Sequence, residues 1–419
     1  MGDISYTELG VTGTTDGFSL ITNEFLFALK GENGRRKYNE MRLNDPVIGS
    51  ILFTIDMLIR SVRWDLAAPN EEKESFEIRD FVNSCMHDMQ YQWTDFISEV
   101  LEMLPFGFSF FETVYKQRLN NKEFSSKYSD GKIGWKKFGI RPAITLDRWK
   151  FNDSGDVIAF IQNMPSGGFV EIPIEKGLLF RTTIKGGNPE GRSILRNAYR
   201  PYYFKTKFEE IEGIGIERDL AGLPVAEIRS DYLATDAPAD KKALVVAIKK
   251  ILMNIRLNHQ AAIVWPIELD DNGHETLRLK LLTSGGKREF TLDPIISRHN
   301  RLIAMTCLAD FILLGHEKVG SFALSSDKTA LFVSALGAWL GSISSVIENN
   351  AIPSLLRLNG YMDPGNYPNL IHSDIESPNL TELGTFISSL SGLGIDLTDL
   401  ETENKLRSIA NLPTITDDK

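Results

Sequence analysis

The feature that most constrains the fold is a pair of long helical patterns that bracket a short segment of mixed character. Residues 193–219, SILRNAYRPYYFKTKFEEIEGIGIERD, predict one helix with Ser193 as its N-cap. At about 1.5 Å per residue this helix would reach roughly 40 Å, which exceeds a typical globular helix. Residues 293–315 predict a second helix, with Pro294 in its first turn and Gly315 at its end. Helices of this length need neighbours along their exposed faces.

The remaining patterns predict shorter helices and small sheets, which together give an α+β fold. Helical periodicity is predicted for these segments: 38–64, 71–89, 95–104, 240–256, 328–360, 380–394 and 399–412. Strands are predicted for FGFSFFETVYKQRL, for short runs within 131–182, and for LPVAEI, AAIVWPIEL, TLRLKLLT and LIHSDIE. We expect Pro105 to end the third helix and Pro353 to bend the run 328–360.

The composition is that of a folded protein without a strong general attraction for nucleic acid. Of the 419 residues, 42% are hydrophobic and 24% are charged, far from the regime of disordered chains. The formal net charge is −10. Because non-specific coating of nucleic acid depends on clustered Lys and Arg, this charge argues against it but leaves room for a local basic patch.

The cysteines and the apolar runs indicate a soluble protein of a reducing compartment. Cys85 and Cys307 lie within apolar helical patterns, which favours two buried reduced thiols over a disulfide. The start of the chain, MGDISYTELG, has acids where a signal peptide needs basic residues. The run 302–315 is too short to span a bilayer and contains Asp310. We therefore expect a cytoplasmic product with no membrane contact.

The stretch 185–193, KGGNPEGRS, is close to a phosphate-binding loop, with the spacing G-x4-G-R-S. Such a loop needs consecutive backbone N–H groups and a Lys that reaches the terminal phosphates. Here Pro189 has no N–H and Arg192 replaces the Lys. The pattern favours a turn whose glycines let a long helix start close to a sheet. A nucleotide-binding enzyme using residues 186–193 is the alternative.

No other constellation indicates catalysis or a bound metal. The six histidines are scattered, without i, i+4 pairs and without nearby cysteines, so no zinc site is expected. A G-x-S-x-G elbow is missing, and Cys307 lies in an apolar run that would stabilise a thiolate poorly. Adjacent carboxylates such as Glu209 and Glu210 are typical of a solvated helix face. We therefore predict a protein that is not an enzyme and uses no cofactor or metal.

The charges along 193–219 run against the helix dipole. Basic side chains come first and acidic ones follow: Arg196, Arg200, Lys205 and Lys207, then Glu209, Glu210, Glu212, Glu217 and Asp219. A neighbouring subunit is one partner for these charges, and an ordinary exposed helix with uncompensated ends is the alternative. Aromatic residues that interleave with the bases are also found in single-strand binders, but their helical spacing here favours core packing.

Several motifs taken together resemble the portal proteins of tailed bacteriophages, and the Mu-type branch most closely. They are the turn GNPEGRSIL (187–195), the aromatic and basic run 199–205, and LGHEKVGSFA (314–323). PFGFSFFE (105–112) resembles the YGFS-type text of the family. The resemblance begins around residue 40 and extends over most of the chain. Its motifs identify a fold better than a mechanism.

The resemblance implies a ring, usually of twelve subunits, at one capsid vertex, through which double-stranded DNA is packaged and later ejected. The implied partners are identical subunits, the packaging terminase motor, a head-tail adaptor protein and the major capsid protein, in a virion assembled in the host cytoplasm. The implied modules are an N-terminal arm, wing, first stem helix, clip, second stem helix, tunnel loop, channel helix, returning wing strand and short crown: 1–36, 37–192, 193–222, 223–290, 291–315, 316–327, 328–359, 360–378 and 379–419.

The resemblance also implies which residues meet DNA. The tunnel-loop residues are His316, Glu317, Lys318, Val319, Gly320, Ser321 and Phe322. Lys318, Arg298 and Arg301 are candidates for weak phosphate contact, and surface solubility is the alternative for each. The net acidity agrees with a channel, because a strongly basic wall would hold the duplex instead of letting it slide. The long helices agree as well, since a closed ring would cover their exposed faces.

Overall fold

The computed structural model describes residues 24–119, 126–221, 223–256, 277–282, 292–309 and 322–375 of the chain. The chain divides into two compact units. The first comprises Met1–Tyr199 with Arg301–Lys419, and the second comprises Arg200–Asn300. Long helices with small antiparallel sheets confirm the α+β class.

The described residues contain ten helices of the α type and ten strands. The helices are α1 (Gly31–Asn44), α2 (Pro46–Arg60), α3 (Lys73–His87), α4 (Trp93–Val100), α5 (Met103–Phe106), α6 (Tyr199–Ala221), α7 (Ala239–Arg256), α8 (Asp293–Thr306), α9 (Phe322–Val346) and α10 (Ile352–Leu358). The strands are β1 (Trp64–Ala67), β2 (Phe108–Gln117), β3 (Ile133–Arg141), β4 (Leu146–Phe151), β5 (Val157–Asn163), β6 (Phe169–Pro173), β7 (Gly177–Arg181), β8 (Leu223–Ile228), β9 (Leu277–Leu282) and β10 (Asn369–His372).

The helix predicted over 38–64 is in fact two helices that meet at Asp45. A proline disfavours the α conformation in the residue before it, and Asp45 before Pro46 is extended, with φ −93° and ψ 117°. The Asp45 carboxylate accepts two backbone N–H groups of α2 at 2.9 and 3.1 Å and so caps that helix. The apolar spacing continues across the break, so the sequence pattern predicted a single helix. Helix α1 begins at Gly31, inside the expected arm 1–36.

Two three-stranded sheets, ordered β3-β2-β7 and β4-β5-β6, form the core of the first unit. Side chains of β2 alternate between two faces, as strand geometry requires. Phe110 stacks on Phe160 of the other sheet at 4.7 Å between ring centroids. Phe111 points the opposite way and meets Phe96 of α4 at 5.2 Å. The unit therefore has a helix layer and two sheet layers, joined by aromatic pairs worth about 0.5–1.5 kcal/mol each beyond their buried area.

A strand from late in the chain returns to the first unit. The pattern LIHSDIE predicted a strand, and β10 confirms it by pairing antiparallel with β1. Trp64 lies opposite His372 in this register. The thiols predicted to be buried and reduced are so: Cys85 and Cys307 are free, and burial raises the pKa of each to about 11.

The helix before the expected tunnel loop ends earlier than the sequence predicts. Helix α8 ends at Thr306 and not at Gly315. Leu308 adopts φ 57°, in the left-handed region, and Ala309 N donates to Ala304 O at 3.0 Å. This is a Schellman-type ending in which a leucine takes the position usually held by glycine. The sequence therefore carried no signal for the early end.

Helix α9 begins at Phe322, so the last part of the segment 316–327, expected to be a loop, is helical. A π-helical turn, Ile347–Ala351, joins α9 to α10 just before Pro353. Proline lacks the N–H that an α-helix interior needs, and such irregular turns are where long helices adjust. The sequence predicted a bend at Pro353, and the structure has a π-helical turn just before this proline. Similarly, Pro105 lies inside α5 and does not end the preceding helix, α4, which stops at Val100.

The second unit consists of α6, α7, most of α8 and the antiparallel pair β8–β9. Helix α6 begins at Tyr199, which places Pro201 in the first turn, where no N–H donor is needed. Ser193 caps a separate 3-10 turn, Ile194–Arg196, and not the long helix. The predicted partner strand AAIVWPIEL, 261–269, lies outside the described residues, as do the predicted helices of the C-terminal tail.

Part of the charge on α6 is compensated within the helix itself. Lys207 pairs with Glu210 at 2.8 Å, and Lys205 lies 3.9 Å from Glu209. These bases therefore need no neighbouring subunit as a partner. The prediction that the aromatic run packs in a core holds for Tyr202, which is buried, whereas Tyr203 and Phe204 are exposed.

Candidate functional site

Two of the sequence motifs come together in the first unit. The turn at residues 105–107, from PFGFSFFE, packs against the turn at residues 187–193, GNPEGRS, and we call them the paired turns. Ser193 Oγ donates a hydrogen bond to Pro105 O at 2.6 Å. The Thr182 hydroxyl lies between the turns, 2.6 and 3.2 Å from one carbonyl oxygen of each. The motifs therefore specify a contact between two distant parts of the chain.

A glycine is required on each side of this contact. Gly107 has φ 92° and Gly191 has φ 56°, values that other L-residues rarely adopt. A Cβ atom at Gly107 would lie 2.4 Å from Glu190 O, and one at Gly191 would lie 2.3 Å from Gly107 O. Both positions thus combine a left-handed backbone with a close approach of backbone to backbone.

A partly buried ion pair supports the second turn. Arg35 of α1 lies 3.3 Å from the Glu190 carboxylate and donates a hydrogen bond from Nη2 to Leu146 O at 2.8 Å. Burial raises the pKa of Glu190, and the Arg35 charge opposes that rise. Burial also lowers the pKa of Arg35. The pair links α1, the turn and β4, and its loss would leave a charge in the interior.

A second ion pair anchors the first described residues of the chain. Glu24 accepts two hydrogen bonds from the Arg196 guanidinium, one of them at 2.8 Å from Nη2. Burial would raise the pKa of Glu24, but the donors from Arg196 and from Leu26 N outweigh it and hold the pKa below its ordinary value. The Arg196 guanidinium also lies 5.4 Å from the ring centre of Phe25.

Between these two ion pairs lies a cleft of about 430 Å³, which we call the turn cleft. Its apolar walls include Phe25, Tyr38 and Phe106. Burial raises the pKa of Tyr38 to about 12. Four basic side chains line the cleft: Lys30, Lys185, Arg192 and Arg196. No sequence pattern predicts this cleft, because Glu24, Arg35 and Glu190 are far apart in the sequence and belong to no common motif.

The geometry disfavours the phosphate-loop alternative at 186–193. The Ser193 hydroxyl, which would have to reach a metal ion, is committed to Pro105 O. No helix starts directly after the glycines, since α6 begins only at Tyr199. The backbone N–H of Arg192 is also occupied, by Thr182 Oγ1 at 3.1 Å. A phosphate-binding loop needs these groups free and aimed at the ligand.

The residues predicted to meet DNA are placed only in part. His316 through Ser321, including Lys318, lie outside the described residues, and Phe322 is the first residue of α9. Arg298 and Arg301 lie on α8 with exposed side chains. Phosphate contact by these residues therefore stays a prediction.

The neighbour of Arg298, His299, has an unusual environment in the second unit. Its imidazole stacks on the rings of Phe204 and Phe208, with centroids 6.3 and 5.6 Å away. Neither ring nitrogen has a hydrogen-bond partner among the described residues. Burial, with a smaller effect of the Arg298 charge, lowers the pKa of His299. No pattern in the sequence predicts this arrangement.

Two further observations on the described residues concern metal binding and membrane insertion. They contain no group of three or more His, Cys, Asp or Glu placed to hold a metal ion. One helical stretch among them, Leu331–Leu358, is long and apolar enough to cross a membrane, on length and composition alone.

Comparison with known proteins agrees with the motif resemblance. The family model for the portal protein of Mu bacteriophage matches residues 36–407. The chain therefore belongs to this family of phage portal proteins. No curated protein matches the chain at a significant level.

Solved structures with a similar fold include chains from the necks and the virion of gene transfer agent (GTA) particles. The chain is similar to the structure described as the neck of an empty GTA particle computed with C6 symmetry, with a TM-score of 0.51 and 12% identity, covering 91% of this chain and 95% of that one. It is equally similar to a chain of the virion of a native gene transfer agent (GTA) particle, covering 91% and 94%. A third match, the neck of a native GTA particle computed with C12 symmetry, has 11% identity, a TM-score of 0.51 and coverage of 90% and 93%.

Proposed function

We propose that this chain assembles into a ring-shaped channel at one capsid vertex, through which double-stranded DNA is packaged and later ejected. The observation that carries the proposal is the family match over residues 36–407. The neck structures with C6 and C12 symmetry support a ring, because they share the fold over nine-tenths of this chain. Identical subunits, a terminase motor, a head-tail adaptor and the major capsid protein are the proposed partners in the virion.

The surface of the chain supports assembly with further copies. Residues 329–347 contain no charged side chain, and Leu331 on α9 is 65% exposed. Helix α6 exposes Ile211 and Ile214 at 55% and 47%. Apolar helix faces of this kind are characteristic of protein interfaces. A closed ring would cover them in every subunit.

Apart from the tunnel loop, the modules of the proposed ring keep the boundaries predicted from the sequence. The wing is 37–192 with the strand within 360–378, the two stem helices enclose the clip 223–290, and the crown is 379–419. The tunnel loop precedes α9, and we shorten it to 316–321 because Phe322 is helical. In this proposal the loop grips or gates DNA through Lys318, and Arg298 and Arg301 make weak phosphate contacts.

A deletion tests the role of the loop. Removing 316–321 should leave rings intact in electron micrographs but reduce packaged DNA per particle or its retention, because the grip on the duplex is lost. Lys318→Glu should weaken packaging in the same direction, and Lys73→Glu on exposed α3 serves as a control that changes net charge equally. Normal particle yield and DNA content from the deletion would refute the role of the loop.

A further inference from the structure

We propose that the turn cleft binds the chain's own N-terminal arm, residues 1–23. The arm would lie over the paired turns, with its acidic side chains against the basic rim and its apolar side chains on the aromatic wall. This inference concerns a docking site within one chain and does not depend on ring formation or on DNA. The arm itself lies outside the described residues.

The rim of the turn cleft carries positive charge that is not compensated by the described residues. The carboxylates at the cleft, Glu24 and Glu190, are already paired with Arg196 and Arg35. No carboxylate of the described residues lies within ion-pair distance of Lys30, Lys185 or Arg192, the remaining cations of the cleft. The cleft is therefore suited to an acidic ligand.

The arm has the complementary composition. Within residues 1–23 the charged side chains are Asp3, Glu8 and Asp16, and there is no Lys or Arg. The segment FSLIT, 18–22, adds apolar side chains immediately before the anchored residue Glu24. The arm thus combines acidic and apolar side chains, which would match the basic and aromatic walls of the cleft.

The anchor at Glu24 determines where the arm starts. Arg196 holds the Glu24 carboxylate, and Phe25 lies beside the same guanidinium, so the described part of the chain begins at the wall of the cleft. An extended chain spans about 3.3–3.6 Å per residue, so a few residues of the arm suffice to cross the cleft. Phe25 and Phe27 are each 78% exposed, which leaves an apolar surface for the arm to cover.

The same cations could attract a phosphate group, but the site favours a peptide. A phosphate group would contact the cations of the rim but would leave the apolar wall of Phe25, Tyr38 and Phe106 uncovered. Pro189 in the turn offers no N–H, and the N–H of Arg192 is already bonded. An apolar and acidic peptide uses the aromatic wall as well as the rim.

Chemical labelling of lysines tests the proposal on the full chain. A variant lacking residues 1–22 should be acetylated several-fold faster at Lys30 and Lys185, measured by mass spectrometry, because the arm no longer shields them. Lys73, whose side chain is 91% exposed on α3, is the internal control and should not change. Equal labelling of Lys30 and Lys185 with and without the arm would overturn the proposal, as would protection that disappears when oligomers are diluted apart.

Two further measurements keep the test independent of folding defects. In the full-length chain, Arg192→Glu should release the arm and speed labelling at Lys30, although it alters only an exposed side chain. A synthetic acetylated peptide of residues 1–22 should restore protection to the deletion variant, and the same peptide with Asp3→Asn, Glu8→Gln and Asp16→Asn should not. Protection by inorganic phosphate or ATP with none from the peptide would assign the cleft to an anionic small molecule and contradict the proposal.

Discussion

At the scale of single residues, the paired turns depend on space as well as on backbone conformation. Gly107 and Gly167 have nearly the same φ, 92° and 88°. A Cβ atom at Gly107 would meet Glu190 O, whereas Gly167 has no heavy atom within 4 Å of the corresponding position. Comparing alanine substitutions at these two glycines therefore separates the free-energy cost of a left-handed backbone from the cost of a steric overlap.

We predict that Gly107→Ala lowers the free energy of unfolding much more than Gly167→Ala does. The control should lose about 1–2 kcal/mol, the cost of an L-residue in the left-handed region. Gly107→Ala should lose several kcal/mol more or fail to fold, because the paired turns must separate. Urea unfolding of both variants measures the difference, and equal losses would show that the turns are not in close contact.

His299 shows a second effect at this scale, a buried imidazole whose two nitrogens lack partners among the described residues. An unsatisfied buried polar group costs about 1–3 kcal/mol. The pKa of His299 in the folded state lies below the ordinary 6.5. At a pH between these two values, His299 is protonated in the unfolded chain and neutral in the folded chain. Stability is therefore lost as the pH falls below 6.5.

We predict that His299→Phe stabilises the protein, and more so at acidic pH. The phenylalanine ring would still stack on Phe204 and Phe208, as the His299 imidazole does. It has no nitrogen that loses water on burial or takes up a proton. The gain in melting temperature should be larger below pH 6.5 than above it, until the folded wild type is itself protonated. His87→Phe, at an exposed position of α3, is the control. A gain independent of pH would contradict the assigned environment.

At the scale of elements, the sequence located most helices and strands but misplaced several ends. Periodicity identified α2, α3, α7 and the sheets, because an amphipathic pattern persists over many residues. Ends were missed where a local effect without a periodic signal decides them. Asp45 before Pro46 divides one apolar pattern into two helices, and Leu308 ends α8 in a conformation that usually requires glycine.

The break at Asp45 leads to a prediction for this element. Asp45→Ala should cost about 0.5–2 kcal/mol, because two N–H groups at the start of α2 lose their acceptor. Asp45→Asn keeps an acceptor oxygen and should cost less. Thermal unfolding of the two variants measures the order, and an equal loss from both would mean that charge rather than capping is responsible.

At the scale of the whole molecule, the family could be inferred from the sequence, and the candidate site could not. The motifs 105–112 and 187–195 gave the resemblance that the family match confirms. The structure adds that these two motifs contact one another through Ser193 and Pro105. The turn cleft stayed hidden because its ion pairs join residues far apart in sequence, such as Glu24 with Arg196, and one sequence carries no signal of such pairs.

In the proposed ring, exposed apolar side chains such as Leu331 of α9 become buried only beside identical copies of the chain. The most direct test is native mass spectrometry of the purified protein, combined with electron microscopy of the same sample. The account predicts a closed ring with a central channel, and a mass near twelve times that of one chain, as in the C12 neck. A single-copy particle that persists at high concentration, with no rings in the micrographs, would contradict it.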